Sequence, residues 1–320
     1  MKKKVAAFCS IALIVFFILF LLGPTAEINT QLKPMSLPDD LDHYLKQSEA
    51  HFPDIVPGAE KTILWANATK TRTPLSIVYL HGFSATRQET APMADQIAAR
   101  LGANLFYTRL AGHGRSQTAM AEPTVNDWFN DTVEALAIGK RLGEKVIVIG
   151  TSTGGTLATW LAEQPNTEAV AAYIFISPNY APTEKMSEVL TWPWGEQLAS
   201  LIVGPEFSWT PANEHQAKYW AHRYPSKALV PMMTLVRFVR NSKLENIHSP
   251  VLVIYSPEDK VINAQKVEQA YAQLGSPIKA IQPITHHVNP LNHVLAGDIL
   301  APENTASVVK LILDFLSPLQ

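Results

Sequence analysis

Short, unbroken apolar runs recur along this chain, separated by stretches with helical spacing. Residues 75–82 (LSIVYLHG), 145–150 (KVIVIG), 169–177 (AVAAYIFIS) and 250–256 (PVLVIYS) carry few polar positions. Residues 278–284 (IKAIQPI) form a weaker run, and 103–116 (ANLFYTRLAGHGRS) passes from such a run into a glycine-rich loop. A strand with one wet face alternates apolar and polar residues; a strand covered on both faces does not. These runs therefore predict a mainly parallel sheet buried between layers of helices. Helical spacing marks 124–143, with Gly143 as its stop, then 155–164 and 304–316.

Residues 178–249 break the rhythm. They hold Trp192, Trp194, Trp209 and Trp220 in helical patterns punctuated by Pro193, Pro205, Pro211, Pro225 and Pro231. This predicts a helical cap inserted between two strands. The body then divides into a first core part at 60–177, the cap at 178–249 and a second core part at 250–320. Residues 23–59, with Pro24, Pro34 and Pro38, read as a linker and N-terminal extension.

The N-terminus has its own pattern. Lys2, Lys3 and Lys4 precede Val5–Leu22, which carries no charge. As a helix that stretch is ~27 Å long at ~1.5 Å per residue, close to the ~30 Å of a hydrocarbon core. It predicts a signal anchor, with the membrane as a partner through residues 5–22. The lysines would stay in the cytoplasm, and the body would lie on the periplasmic or extracellular side. The competing expectation is a signal peptide with residues 1–26 removed and the body secreted.

Composition narrows the function. The 320 residues are 47% hydrophobic, ample for a large core. With 26 basic and 28 acidic residues, net charge −2, the chain lacks the basic footprint of a nucleic-acid binder. The one cysteine, Cys9, lies in the N-terminal apolar run, so the body has no disulfide, thiolate metal site or cysteine nucleophile. There is no His-x-x-x-His pair, Walker lysine or Gly-x-Gly-x-x-Gly, so neither metal nor cofactor is expected.

The most informative stretch is 147–163, VIVIGTSTGGTLATWLA. Branched apolar residues run into Gly-Thr-Ser-Thr-Gly, and a helical pattern follows. A serine between glycines at a strand-to-helix turn is a nucleophile elbow. Gly150 and Gly154 let the backbone pass closely, and the turn lifts the Ser152 hydroxyl to the carboxyl end of the sheet. The helix N-terminus behind it favours negative charge. A plain glycine-rich strand–helix junction is the bland alternative.

With this elbow the sequence resembles the α/β-hydrolase superfamily, particularly its capped esterases and monoacylglycerol-lipase-like members. The resemblance spans residues 60–318. It rests on HGF at 81–83, AGHGRS at 111–116, GTSTGG at 150–155, SPEDKVI at 256–262 and NHVLAGD at 292–298, in that order. It implies an eight-stranded, mainly parallel sheet with an inserted cap, and a serine–acid–histidine triad in that chain order. Serine needs a base, and histidine suits neutral pH. His293 lies where the family's catalytic histidine sits, before the last helix; His286 and His287 are nearby rivals. The base needs an acid, and Asp259, just past a buried strand, matches the family's position, with Glu258 as the alternative. By resemblance, the backbone N–H groups of Phe83 and Thr153 form the oxyanion hole. His81 and His113 are assigned structural places in that region. Asp127 is assigned to helix capping, and Arg115 and Ser116 to holding the Gly112–Gly114 loop.

The function so implied is a serine hydrolase acting on a small-molecule or lipid ester through an acyl-enzyme on Ser152. A carboxylesterase or a monoacylglycerol/lysophospholipid lipase fits best. A serine aminopeptidase of the same superfamily would need an acidic patch in the cap, for which Glu184, Glu188, Glu196, Glu206 and Glu214 are candidates. A non-catalytic ligand-binding protein on the same scaffold is the expectation from another class.

Overall fold

The computed structural model describes residues 2–26 and 28–319; Met1, Glu27 and Gln320 lie outside the described residues. The first elements are α1 (Lys2–Leu21), α2 (Leu41–Glu49), β1 (Thr62–Leu64), β2 (Thr73–Leu80), α3 (Met93–Leu101) and β3 (Asn104–Tyr107). Then follow α4 (Val125–Leu142), β4 (Gly143–Thr151), α5 (Thr153–Ala162) and β5 (Val170–Ile176). The segment after β5 carries α6 (Gly195–Val203), β6 (Glu206–Ser208), α7 (Glu214–Tyr219), β7 (Arg223–Pro225) and α8 (Leu229–Arg240). The chain closes with β8 (Val251–Tyr255), α9 (Ala264–Gln273), β9 (Lys279–Pro283) and α10 (Thr305–Leu316).

Seven strands form the main sheet in the order β1-β3-β2-β4-β5-β8-β9. All neighbours run parallel except β1, which pairs antiparallel with β3. The expected mainly parallel, helix-covered sheet is what the chain forms, with seven strands where eight were implied. The unbroken apolar runs have a simple cause. Successive side chains of one strand enter opposite cores. Val78, Leu80, Val146, Val148 and Phe175 join one core, which includes Trp128 and Phe129 of α4 and Leu157 of α5. Ile77, Tyr79, Ile147, Ile149 and Ile174 join the other, with Ile97 of α3 and Ile312 of α10.

Helix ends follow their local chemistry. Thr124 and Asp127 form a reciprocal capping box at the start of α4, which gives Asp127 the capping place the sequence suggested. Between β5 and β8 the chain is helical apart from a two-stranded antiparallel ribbon, β6–β7. Met233, Leu235 and Val236 of α8 are fully buried in the core that holds Val148 and Phe175.

The N-terminal expectation is corrected. Among the described residues, no helix is long and apolar enough to cross a membrane. Lysine occupies positions 2–4 and α1 stops at Leu21. Protein also occupies its end. The Trp194 indole N–H donates to Phe20 O at 3.1 Å, and the Trp194 backbone N–H to Pro24 O at 2.8 Å. The expected membrane anchorage through residues 5–22, and the placement of the body on the non-cytoplasmic side that rested on it, therefore do not stand.

One contact fixes how the sheet meets α5. A Cβ on Gly154 would lie 2.0 Å from the Leu80 carbonyl oxygen, a backbone atom that cannot move aside. Gly102, in the left-handed turn after α3, has φ +60° and open space where a Cβ would go. Gly154→Ala should cost about 3 kcal/mol or more, whereas Gly102→Ala should cost about 1 kcal/mol, from backbone strain alone. Thermal melting of the two variants beside the parent protein checks this; equal losses would show that the close approach at Gly154 relaxes.

Candidate active site

Ser152 sits between β4 and α5 at φ 53°, ψ −117°, a conformation residues with a side chain rarely adopt. The turn is anchored on both sides. The Ser152 N–H donates to Ile176 O at 2.8 Å, and its carbonyl accepts from Asn179 N–H at 3.1 Å. Gly150 passes so close to Gly154 that a Cβ would meet its carbonyl oxygen at 2.4 Å.

Three side chains from distant positions meet here. Ser152 Oγ lies 3.0 Å from His293 Nε2. On the other side of the ring, His293 Nδ1–H donates to Asp259 Oδ2 at 2.7 Å. The remaining oxygen, Asp259 Oδ1, accepts from Val261 N–H at 2.8 Å and Ile262 N–H at 2.9 Å, so the carboxylate is oriented by its own turn. The loop carrying the histidine is tied to the sheet by Ser177 Oγ–H, which donates to His293 O at 2.8 Å. The rivals lie elsewhere: His286 Nε2 contacts Asn304 Oδ1 at 3.0 Å, His287 is exposed, and exposed Glu258 accepts from Asn292 Nδ2 at 3.4 Å.

Burial disfavours a charged His293, but the adjoining Asp259 carboxylate outweighs it and holds the ring above the usual histidine range. His81 behaves oppositely. Burial, then the neighbouring His113, holds it well below that range, so it is neutral. Its Nε2 accepts from Leu110 N–H at 3.1 Å, which leaves the proton on Nδ1, where it donates to Gly82 O at 2.9 Å. Phe83 and Thr153 flank the serine, and among the described residues neither backbone N–H has a protein acceptor.

The group opens into a cavity of about 440 Å³. Its floor includes Phe83, Ser152, Thr153 and His293; its roof includes Ile202, Phe207, Trp220 and Met233. The expected structural residues are in place behind it. Arg115 Nε donates to Asp54 Oδ1 at 2.8 Å, and Ser116 N–H to Asp54 Oδ2 at 3.2 Å, which holds the end of the Gly112–Gly114 loop.

Sequence reasoning passed over Glu89. Its carboxyl is buried at the edge of the cavity and accepts from Gly82 N–H at 2.8 Å. Burial pushes it up to about 7. It lies in RQET, an unremarkable polar stretch of sequence, and only its closeness after HGF could have drawn notice.

The family model described as "Serine aminopeptidase, S33" matches residues 72–288. A thermostable monoacylglycerol lipase from Bacillus sp. (strain H-257) is 24% identical over 225 residues, 69% of this chain and 85% of that protein. A structure of the metagenome-derived lipolytic enzymes LipS and LipT has a TM-score of 0.68 at 23% identity, covering 82% of this chain and 99% of that one. A soluble variant of monoglyceride lipase from Saccharomyces cerevisiae has a TM-score of 0.63 at 13% identity, covering 84% of this chain and 99% of that one. The likeness to both structures is one of fold.

The raised His293 has a measurable consequence. Modification of Ser152 by a fluorophosphonate needs the neutral ring, so its rate should fall with acid through a midpoint above 6.5, the ordinary histidine value. Asp259→Asn should move that midpoint down and slow modification by about 10⁴-fold. A midpoint below 6.5 in the parent protein would mean that burial, not the carboxylate, dominates.

Proposed function

The chain belongs to the serine aminopeptidase S33 family, and we propose that it is a serine hydrolase cleaving carboxylic esters of apolar acyl groups, a carboxylesterase or monoacylglycerol/lysophospholipid lipase. One observation carries the reading. The Ser152 hydroxyl, 3.0 Å from His293 Nε2, faces a mainly apolar cavity of about 440 Å³. A volume of ~300–1,000 Å³ is usual for small-molecule sites. The Bacillus relative's name as a monoacylglycerol lipase supports the same substrate class.

In the proposed reaction Ser152 Oγ attacks the ester carbonyl as its proton passes to His293 Nε2. Asp259 stabilises the imidazolium and holds its tautomer. The carbonyl oxygen becomes an oxyanion held by Phe83 and Thr153 N–H; Thr153 adds the positive end of α5. Collapse expels the alcohol, which takes the proton from His293. Water then attacks the acyl-enzyme by the same path and releases the acid. Residues 178–249 act as the cap over this site, between core parts at 60–177 and 250–320.

The acidic side chains weigh against peptide substrates. Of the five cap glutamates that could receive a substrate amine, only Glu184 lines the cavity. Glu188 is paired with Arg240 at 2.6 Å and Glu206 with Arg223 at 2.6 Å. An apolar acyl group finds more complementary wall here than an ammonium does.

A fluorophosphonate probe should label the parent protein and leave Ser152→Ala unlabelled, with hydrolysis reduced about 10⁴-fold or more. Across p-nitrophenyl esters of graded chain length and a set of amino-acid arylamides, kcat/KM should be highest for an ester. Arylamide turnover above every ester would overturn the substrate assignment. An unlabelled parent protein would overturn the hydrolase itself.

A further inference from the structure

We infer that Glu89 is a positioning residue of the oxyanion hole: its carboxyl clamps the Gly82 peptide so that the Phe83 N–H stays aimed at the reacting carbonyl. The inference rests on Ser152 being the nucleophile and goes beyond it to a residue outside the triad.

The turn Gly82–Phe83 is the weak point of the proposed hole. Thr153 N–H is fixed by α5, but Phe83 N–H belongs to a loop, and it follows a glycine, whose backbone is the most permissive. The direction of Phe83 N–H is set by the planar trans peptide it shares with Gly82 C=O, so the two point oppositely. Gly82 O is held by His81 Nδ1–H at 2.9 Å and by Ala85 N–H at 3.2 Å. That pins the peptide after Gly82. Among the described residues, the peptide before it is pinned by Glu89, through the 2.8 Å bond from Gly82 N–H to Oε2. With both peptides held, the φ and ψ of Gly82 are fixed although the residue has no side chain.

Glu89 is also placed to hold this turn against its neighbours. Tyr79 Oη lies 3.3 Å from Glu89 Oε2 and 3.0 Å from Thr151 Oγ1, and Thr151 directly precedes the serine. A Cβ on Gly82 would stand 2.6 Å from Glu89 Oε1 and 3.2 Å from Ser152 Cβ, so the clamp closes directly over the nucleophile. On its far side the backbone of Glu89 supports the histidine loop. A Cβ on Gly297 would meet Glu89 O at 2.8 Å, and Asp298 N–H donates to Ala91 O at 2.9 Å. One residue thus touches the segments carrying the Phe83 amide, the serine and the histidine. A buried carboxyl is costly to place, and the proton transfer between Ser152 and His293 does not use it.

Two conservative variants separate positioning from charge. Glu89→Gln keeps the length and an acceptor oxygen but cannot ionise. Glu89→Asp keeps the carboxyl and withdraws its oxygens by one methylene. Misplacement of a reacting group by ~1 Å can cost about 10²-fold. Loss of one oxyanion donor costs ~10²–10³-fold. For Glu89→Asp, kcat and the rate of fluorophosphonate labelling should fall together by about 10-fold or more, with KM within about 2-fold. Glu89→Gln should stay within about 3-fold of the parent protein in both. Affinity for a trifluoromethyl ketone, whose adduct carries an oxyanion, should follow kcat. A parent-like Glu89→Asp, or a Glu89→Gln as impaired as the aspartate, overturns the inference while leaving Ser152 as nucleophile. A parent protein that the probe does not label overturns both.

Discussion

The backbone of Ser152 is held where an unconstrained residue would not stay. Its φ of 53° costs of order 1–3 kcal/mol, and only a surrounding that over-determines it can hold it there. That surrounding is the contact of Gly150 with Gly154 and of Gly154 with the Leu80 carbonyl, where no side chain fits. The same contact brings α5 onto the end of β4 and points its N-terminus at the serine. It also sets β2 beside β4, so that the turn after β2 stands across from Ser152. Without the close approach, hydroxyl, helix end and facing amide would no longer share one small space.

Around this point the protein uses buried charge to hold loops rather than to hold the sheet. Arg109 makes a paired contact with Glu49 of α2, at 2.8 Å from both Nε and Nη2, and its Nη1 donates to His113 O at 3.1 Å. Asp131 of α4, pushed up to about 6 by burial, accepts from Ala111 N–H at 2.6 Å, and Lys61 pairs with Glu134 beside it. These groups fasten residues 109–113, the loop whose Leu110 N–H fixes the tautomer of His81. Such pairs add little net stability, because desolvation offsets attraction. Their directional bonds instead give the loop one geometry, which an apolar packing would specify less sharply.

Much of this was legible in the sequence because it is local. The apolar runs announce strands covered on both faces, and Gly-Thr-Ser-Thr-Gly announces the elbow since its strain can be met only by glycine neighbours. The order of Ser152, Asp259 and His293 followed from resemblance, and the structure brings those side chains within hydrogen-bonding distance. What stayed hidden depends on contacts between distant segments. β1 is three residues long and is defined by pairing with β3 rather than by its own pattern. Glu89 is polar in a polar stretch, and its burial arises only when β2, β4 and the histidine loop close round it. The N-terminal run differs for a related reason: its apolar length is visible in the sequence, but the packing of its end against Trp194 is a contact between distant segments.

The cavity has walls of two kinds. Its floor is made from the turns that follow β2 and β4 and from the loop that carries His293, and its roof from α6, the β6–β7 ribbon and α8. In the proposed reaction the groups that touch the reacting carbonyl and most of the side chains that would touch the rest of the ligand therefore belong to separate stretches of polypeptide. Selection could rewrite Ile202 and Val203 of α6, which face the cavity outside the core that holds Val148 and Phe175, while α8 stays bound into that core through Met233. A scaffold partitioned in this way can diversify in what it accepts while its chemistry stays constant.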